Sequence, residues 1–431
     1  MCQNPNPFRI VDRTVTTMVQ PYPWRISGIP EARLSSRPLR YAVLGAGFAG
    51  LSVTWHLLRS SSKEVELRID LFDEAGIGGG ASGVSGGLLH PYSPKGKLAW
   101  QGADCWKECL MILDAAEATA IRSEVPENSE RSGQEHDNIM VHKRGIIRVP
   151  TSAKSFDIFR CNIPNCHPTC RIETIDQKNA NTLVPNLFLP LDYAFYMPQA
   201  VTVNPLLYLQ SLFSACEDLV KSTQGKKELH FQKNPIKCLG ELEKAYDAVI
   251  VCLGAKADML PELRGKLPLR KCRGVIIHLQ SPTKRYLETT PSILSDAWLA
   301  ARGANSLYLG STWDWEATDF SSIVSEEESS KALRELLPKA ATFYPAIKKW
   351  TITEKVAGVR AMPPSGSLPL LGCIDHLFPE TRSCKFWLLG GLGSRGLLYH
   401  ARLGNILAQA VIHSDETLIP PELTSWKLNK I

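Results

Sequence analysis

The sequence of 431 residues contains no uninterrupted apolar run long enough to cross a membrane. The longest apolar segment, residues 42–58, is broken by glycines and by His56, so we predict no membrane span. The net charge of +6 is small, and no dense Lys/Arg stripe is present, which permits nucleic-acid binding without favouring it. Hydrophobic and charged fractions of 44% and 21% are typical of a soluble globular chain of two domains, or of one large α/β unit with a satellite.

The chain also shows no secretory signal peptide and no paired C-x-x-C motifs. Its twelve cysteines are dispersed, which predicts reduced thiols in an intracellular protein. One group, Cys161, Cys166 and Cys170 with His167, could be offered as a zinc site. Its spacing differs from that of the usual zinc knuckles, so we predict ordinary cysteines and no metal site, with zinc as the less favoured alternative.

Residues 1–38 are rich in arginine and poor in acidic residues, with five Arg against one Asp and one Glu. This composition before a sharp domain start is typical of an organelle transit peptide. A plastid is the favoured destination and a mitochondrion the second. The alternative is a disordered or loosely packed extension of a cytoplasmic protein.

The segment "YAVLGAGFAGL" predicts a buried strand, a tight turn and a helix that opens near Phe48 and Ala49. Gly45, Gly47 and Gly50 give the G-x-G-x-x-G spacing, in which the glycines allow the turn, the approach of a pyrophosphate and close helix packing. The phosphates would lie on the helix N-terminus. A second strand ends at Asp73 and Glu74, where a carboxylate is placed to bind a ribose hydroxyl.

A glycine- and serine-rich segment, residues 76–94, follows where an NAD-binding domain would continue with a helix. Such a segment suits a long cofactor that lies against the backbone, which favours FAD over NAD. We predict that Ser82, Gly86 and Gly87 lie nearest to the cofactor. Further along, the apolar run of residues 249–253 predicts a buried parallel strand, and Gly254 ends it near the cofactor.

Several of these motifs resemble the D-amino-acid oxidase-type flavoprotein family, which includes glycine oxidase and sarcosine oxidase. The resemblance spans residues 40–412 and includes "GGASGVSGGLL", "YDAVIVCLGA", "LPLRKCRG", "GVRAMPPSGSLPLLG" and "GLGSRGL". Within the family, "GLGSRGL", "LPLRKCRG" and "LGSTWDWEATDF" look like the FAD domain of bacterial bifunctional enzymes that modify the wobble uridine of tRNA. No second nucleotide-binding region, such as their methyltransferase half, precedes Tyr41 in this sequence.

The resemblance implies an α/β fold with a doubly wound, glutathione-reductase-like Rossmann domain that binds FAD non-covalently. We expect this domain to be assembled from residues 39–105, 198–262 and 355–431. An α+β, mixed-sheet substrate domain would be inserted as residues 106–197 and 263–354.

A second strand–loop–helix pattern near the C-terminus predicts a second helix N-terminus that faces an electron-rich group, although a βα turn without a ligand remains the alternative. In a flavoenzyme, its N–H groups would stabilise the charge that develops at N1 and the C2 carbonyl of the reduced ring. The predicted contacts are Gly391, Gly393, Ser394, Gly396 and Leu397.

Arg360 lies in an apolar stretch, where an arginine is costly unless it meets an anion. The resemblance places the family's carboxylate-binding arginine here, while a structural ion pair is the alternative. Arg395 matches an arginine or histidine near the flavin edge, where it would help to close the site, and a surface role is the alternative. His90 and His400 are predicted to be non-catalytic, and no general base stands out.

These residues predict an FAD-dependent enzyme that oxidises the C–N bond of a glycine-like or N-substituted amino acid, with oxygen as the expected final acceptor. Two alternatives stay open. One is oxidation of the carboxymethylaminomethyl group on a tRNA wobble uridine, and the other is flavin binding without turnover.

Overall fold

The computed structural model describes residues 37–123, 139–282, 289–303, 305–378 and 384–428. The predicted N-terminal extension therefore lies outside the described residues, apart from its last two positions.

In the described ranges the strands are β1 (Leu39–Leu44), β2 (Leu67–Phe72), β3 (Leu88–Leu89), β4 (Val141–His142), β5 (Ile146–Arg148), β6 (Glu173–Asp176), β7 (Tyr193–Met197), β8 (Val201–Val203), β9 (Lys227–Gln232), β10 (Ala248–Val251), β11 (Arg270–Gln280), β12 (Ser292–Leu294), β13 (Trp298–Arg302), β14 (Ser306–Gly310), β15 (Thr351–Met362), β16 (Leu370–Cys373) and β17 (Lys385–Gly390). The helices are α1 (Phe48–Ser60), α2 (Gly102–Ser123), α3 (Ala153–Arg160), α4 (Gln177–Leu183), α5 (Pro205–Lys221), α6 (Glu326–Ala341), α7 (Gly396–His413) and α8 (Pro421–Thr424).

A six-stranded sheet has the order β16-β17-β10-β1-β2-β9, in which only the β16–β17 pair is antiparallel. Strand β10 is apolar throughout, and β17 is apolar after its first residue, because both faces of the sheet are covered there. Tyr41 and Val43 of β1 pack into the cluster that contains α1, α2, α5 and α7. Ala42 and Leu44 pack on the other face, against residues of the loops after β9 and β10. This arrangement confirms the predicted α/β fold.

An eight-stranded mixed sheet has the order β15-β11-β14-β13-β12-β5-β7-β6, in which only the β12–β5 pair is parallel. Helix α6 packs on it through Ala332, Leu336 and Ala340, which share a cluster with sheet residues. In a short three-stranded sheet, β3-β8-β4, strand β3 directly follows residues 82–87, which we call the small-residue segment.

The strands of the six-stranded sheet fall in the three segments predicted for the FAD domain, but two predicted boundaries lie inside elements. The boundary at residues 105/106 cuts α2, and the boundary at 354/355 cuts β15. Helix α2 packs against α5 and α7, although most of it was predicted to belong to the substrate domain. The exact domain bounds stay a prediction.

The predicted alternative of a zinc site at Cys161, Cys166 and Cys170 finds no support in the described ranges. No three His, Cys, Asp or Glu side chains are grouped there as metal ligands would be. Cys170 is instead buried, and its carbonyl accepts a hydrogen bond from the hydroxyl of Tyr92. The eleven described cysteines are free thiols. Among the described helices, none combines the length and apolar character that a bilayer crossing needs.

Candidate active site

The first glycine turn joins β1 to α1 and has no room for side chains. Gly45 has φ +103°, and a Cβ there would lie 2.5 Å from the carbonyl oxygen of Cys252 on the neighbouring strand. A Cβ on Gly50 would overlap with the carbonyl oxygen of Gly45. The glycine spacing therefore brings the helix directly onto the strand, as the sequence predicted.

The N-terminus of α1 is open to an anion. Its N-cap, Gly47, provides no side-chain hydrogen bond, and its first turn contains no acidic residue. The hydroxyl of Ser82 accepts a hydrogen bond from the Phe48 amide at 3.1 Å. A Cβ on Gly47 would lie 2.8 Å from that Ser82 oxygen, in the space in front of the helix. Because helix N-termini favour anions, this cradle fits the pyrophosphate of FAD.

Asp73, which directly follows β2, accepts hydrogen bonds that stabilise the glycine turn. Its Oδ2 accepts from the Ala46 amide at 2.8 Å, and its Oδ1 accepts from the amides of Ala75 and Gly76 at 2.9 and 3.0 Å. The sequence predicted that Asp73 binds a ribose hydroxyl, but it did not indicate that Asp73 also accepts hydrogen bonds from the backbone amides of the turn. Glu74 is more exposed and pairs with Lys256, which follows Gly254 at the end of β10.

The small-residue segment, residues 82–87, leads into β3 and contacts two strands of the large sheet, β13 and β15. A Cβ on Gly86 would lie 2.8 Å from the ring of Trp298 in β13. On the other side, a Cβ on Gly358 of β15 would lie 2.6 Å from Val84. The segment therefore touches the strand that carries Arg360. Since its backbone is not covered by large side chains of its own, it fits a cofactor that extends along it.

The structure brings the second glycine loop beside the first. Gly391 and Gly393 have φ +70° and +59°, and α7 begins at Gly396 with no side-chain cap. A Cβ on Gly396 would lie 3.3 Å from the ring of Phe48, the first residue of α1. The loop also borders the end of β15, since Met362 lies 3.4 Å from a Cβ on Gly393. Ser394 is exposed and Leu397 is buried.

Arg360 is a largely buried cation without a carboxylate partner in the described part of the chain. Its Nη2 donates to the Thr312 carbonyl at 2.8 Å and contacts the Cys272 sulfur at 3.6 Å, and its Nη1 donates to the Ser311 hydroxyl at 3.2 Å. Its Nε is buried and unpartnered. Burial lowers the pKa of Arg360. The predicted alternative, a structural ion pair, is therefore not found among the described residues, and an anion from outside would supply the missing charge.

A ladder of aromatic and cationic side chains leads from Arg360 to the surface, and the sequence did not predict it as part of the site. The guanidinium carbon of Arg360 lies 4.0 Å from the ring centre of Trp313. Trp313 stacks on Trp315 at 5.9 Å, and Arg270 lies 4.4 Å over Trp315. The two indoles are 47% and 37% exposed. The signals were the "WDW" in "LGSTWDWEATDF" and the arginine in "LPLRKCRG". We call these four residues the Arg–Trp ladder.

The two histidines next to the glycine loops are held neutral. His400 is fully buried, with its Nε2 2.6 Å from the Tyr208 hydroxyl and its Nδ1 2.8 Å from the Leu397 carbonyl. Burial lowers the pKa of His400 to about 4. Burial, with the charges of Arg148 and Arg395 nearby, lowers the pKa of His90 to about 3. Both ring nitrogens of His400 are occupied, which agrees with the predicted structural role.

Comparison with known proteins adds to this geometry. Residues 40–410 match the family described as FAD dependent oxidoreductase (DAO). A candidate thiamine biosynthesis oxidoreductase, ThiO, of Rhizobium etli is 27% identical over 378 residues, which cover 87% of this chain and 97% of that protein. These matches support the family and do not support the finer resemblance to tRNA-modifying enzymes.

Two solved structures share the fold at low identity. Glycine oxidase from Geobacillus kaustophilus is 19% identical, with a TM-score of 0.65 and coverage of 91% of this chain and 99% of that one. Iminodiacetate oxidase from Chelativorans sp. BNC1 is 18% identical, with a TM-score of 0.65 and coverage of 88% and 97%.

Proposed function

The chain belongs to the FAD-dependent oxidoreductase family, and from that premise we propose that it oxidises the C–N bond of a glycine-like or N-substituted amino acid. The observation that supports this substrate class is Arg360, a buried guanidinium with no carboxylate partner in the described ranges. An arginine is suited to a carboxylate because its planar N–H donors match the two oxygens. The names of the similar proteins, glycine oxidase and iminodiacetate oxidase, agree with an amine that bears a carboxylate.

Arg360 would bind the substrate carboxylate and orient the adjacent carbon and nitrogen. Three contacts use three of its five N–H donors, and since Nε is buried, one hydrogen of Nη1 is left for a ligand. Trp313 covers one face of the guanidinium and would exclude water from that side. The result is a fixed anchor from which the C–N bond is presented.

When bound, FAD would supply a two-electron acceptor for the α-hydrogen of the substrate, which would leave as a hydride so that the neutral amine becomes a protonated imine. The chain itself would contribute electrostatic stabilisation of the reduced cofactor. The N-terminus of α7, which has no side-chain cap, would stabilise the negative charge of the reduced ring. A neutral amine needs no dedicated base, which agrees with the neutral, bonded state of His400. Water would then hydrolyse the protonated imine to a carbonyl compound and an amine, and oxygen would take the two electrons with two protons to give hydrogen peroxide.

Anaerobic reduction of the purified holoenzyme tests this function. Glycine, sarcosine, iminodiacetate, proline and D-amino acids would each be mixed with the protein while the absorbance of oxidised flavin is followed. We expect bleaching by at least one carboxylate-bearing amine and none by its amide. If no amine bleaches the flavin, the alternative of flavin binding without turnover is favoured.

A second candidate is an amine carried by tRNA, the carboxymethylaminomethyl group of a wobble uridine, which is itself an N-substituted glycine. The Arg–Trp ladder favours it, because exposed indoles flanked by cations are suited to stacking with nucleobases next to phosphates. The test is bleaching by tRNA that carries this group, compared with unmodified tRNA and with the W313L/W315L variant. Bleaching by the free amino acids alone would exclude the tRNA substrate.

We also propose that residues 1–38 direct the protein to a plastid. The support is compositional only: arginine is abundant, and acidic residues are scarce before the first strand.

A further inference from the structure

Arg302, the last residue of β13, is a buried arginine whose guanidinium donates to backbone carbonyl oxygens and contacts no carboxylate among the described residues. It is 5% exposed. Its Nη1 donates to the Val203 carbonyl, and its Nη2 lies 3.2 Å from the carbonyl oxygens of both Ser85 and Gly86. In the described ranges it forms no ion pair. Its guanidinium carbon lies 4.9 Å from the ring centre of Tyr308. Burial lowers the pKa of Arg302 to about 10, so the side chain stays cationic at neutral pH.

The contact with Val203 replaces a bond of the β ladder. Leu88 pairs with Thr202 in the antiparallel β3–β8 ladder, so Gly87 stands opposite Val203. Residues opposite each other at such a position normally exchange two N–H···O bonds. Only one is formed here, from the Val203 amide to the Gly87 carbonyl at 2.8 Å. Arg302 takes the carbonyl that the Gly87 amide would otherwise use.

The other two contacts fix the direction of two peptide planes. In a trans peptide the C=O and N–H groups point in opposite directions. Because the carbonyls of Ser85 and Gly86 point at Arg302, the amides of Gly86 and Gly87 point away from it. Neither amide has a hydrogen-bond partner among the described residues, and Gly87 is buried. A buried N–H without a partner is costly, so an acceptor from outside the chain is expected.

These amides belong to the segment that begins with Ser82 at the N-terminus of α1, where the pyrophosphate of FAD fits. We propose that Arg302 is a positioning residue for the flavin: it turns the amides of Gly86 and Gly87 toward the bound cofactor, where they stabilise its reduced, negatively charged form. The proposal rests on FAD binding and is independent of the substrate.

The chain offers a matched control. Arg273 is another buried arginine, 3% exposed, that holds loop carbonyls, among them Ile323 at 2.8 Å, and it also binds Glu328 at 2.7 Å. Its removal should destabilise the fold to a comparable extent. No contact of Arg273 involves the small-residue segment.

The experiment measures the midpoint potential of the bound flavin in R302M, R302K and R273M by dye equilibration, with thermal unfolding in parallel. We expect R302M and R302K to bind reduced FAD about tenfold less tightly relative to oxidised FAD, which lowers the two-electron potential by about 30 mV. A lysine keeps the charge but cannot hold three carbonyls in one plane. R273M should lower the melting temperature and leave the potential unchanged.

An unchanged potential in both Arg302 variants would overturn the proposal. A shift in R302M but not in R302K would also overturn it, because the charge alone would then suffice. If neither variant folds, hydrogen exchange of the wild-type holoenzyme decides. The amides of residues 86–87 should become more protected on flavin reduction, and unchanged protection would contradict the assignment.

Discussion

Phe48 and Gly396, the first residues of α1 and α7, are in contact. A Cβ on Gly396 would lie 3.3 Å from the Phe48 ring, and the two residues are 348 positions apart in the sequence. Two helix N-termini, neither of which is capped by the side chain of its own N-cap residue, therefore open side by side. Each carries the equivalent of about half a positive charge, and together they favour a ligand with negative charge at two separate places. FAD, with its pyrophosphate and its reduced ring, is such a ligand.

Gly47→Val should abolish FAD binding, because the new side chain would fill the space between the α1 N-terminus and Ser82. The measurement is the flavin released per chain on denaturation. Gly240→Val is the control, since a Cβ on Gly240 meets no atom within 4 Å. Full flavin content in the Gly47 variant would remove the first glycine loop from the site.

Asp73→Ala should weaken FAD binding roughly 10- to 100-fold, since a hydrogen bond to a charged group contributes about 1.5–3 kcal/mol. The loss of the bonds to Ala46, Ala75 and Gly76 would add to the effect by loosening the turn. Glu74→Ala removes the neighbouring carboxylate, which pairs with Lys256 at a half-exposed position, and should change the affinity little. Titration of both apoproteins with FAD measures the difference, and equal losses would assign the ribose role to neither residue specifically.

Arg360→Leu should keep FAD bound but slow anaerobic flavin reduction by the true substrate roughly a hundredfold or more, because one partner of a buried charge pair is lost. Arg360→Lys should recover little of the rate, since an ammonium cannot reproduce the planar donors. The amide of the substrate provides the control: it should reduce the wild type poorly and be insensitive to the substitution. Normal turnover in the leucine variant would disprove the carboxylate assignment, and loss of FAD would show that the arginine is structural.

Stability should fall as the pH is lowered from about 6.5 to about 4. The native state keeps His400 neutral because its pKa is lowered to about 4, whereas the unfolded chain binds the proton near the ordinary value of 6.5. Protons therefore favour the unfolded state in this window, and His400 alone should cost about 3 kcal/mol at pH 4. The free energy of unfolding, measured with urea at several pH values in this range, should depend less steeply on pH in His400→Gln than in the wild type.

Deletion of residues 1–38 should leave FAD content and thermal stability nearly unchanged, because the first strand of the six-stranded sheet begins at Leu39. The tagged full-length protein, imaged in its native cell, should then localise to a plastid, whereas the truncated protein should not. Loss of folding on truncation would contradict the transit-peptide proposal.

The local motifs of the cofactor site could be predicted because each is carried by neighbouring residues. The turn at Gly45, the helix start at Phe48 and the acidic end of β2 all lie where the sequence placed them. The contact of Phe48 with Gly396 could not be predicted, since it depends on how α1 packs against α7. Neither could the task of Arg302, because a single arginine at the end of a strand shows no periodic pattern. The stacking of Trp313 on Arg360 depends on where β14 and β15 flank β11, which is a property of the whole sheet.

The contact between Gly358 and the small-residue segment fixes the position of β15 relative to that segment. Side chains two apart on a strand share one face, so Arg360 projects on the side where Gly358 meets Ala81 and Val84. Two residues of strand span about 7 Å. Because Ser311 and Thr312 hold the guanidinium of Arg360, the strand and these two contacts together set the distance from the proposed carboxylate anchor to the proposed path of the cofactor. A bulkier residue at position 358 would lengthen that distance. With Arg360 as the proposed carboxylate anchor, we expect the wild-type chain to favour a carboxylate one carbon from the nitrogen over one that is a carbon further away.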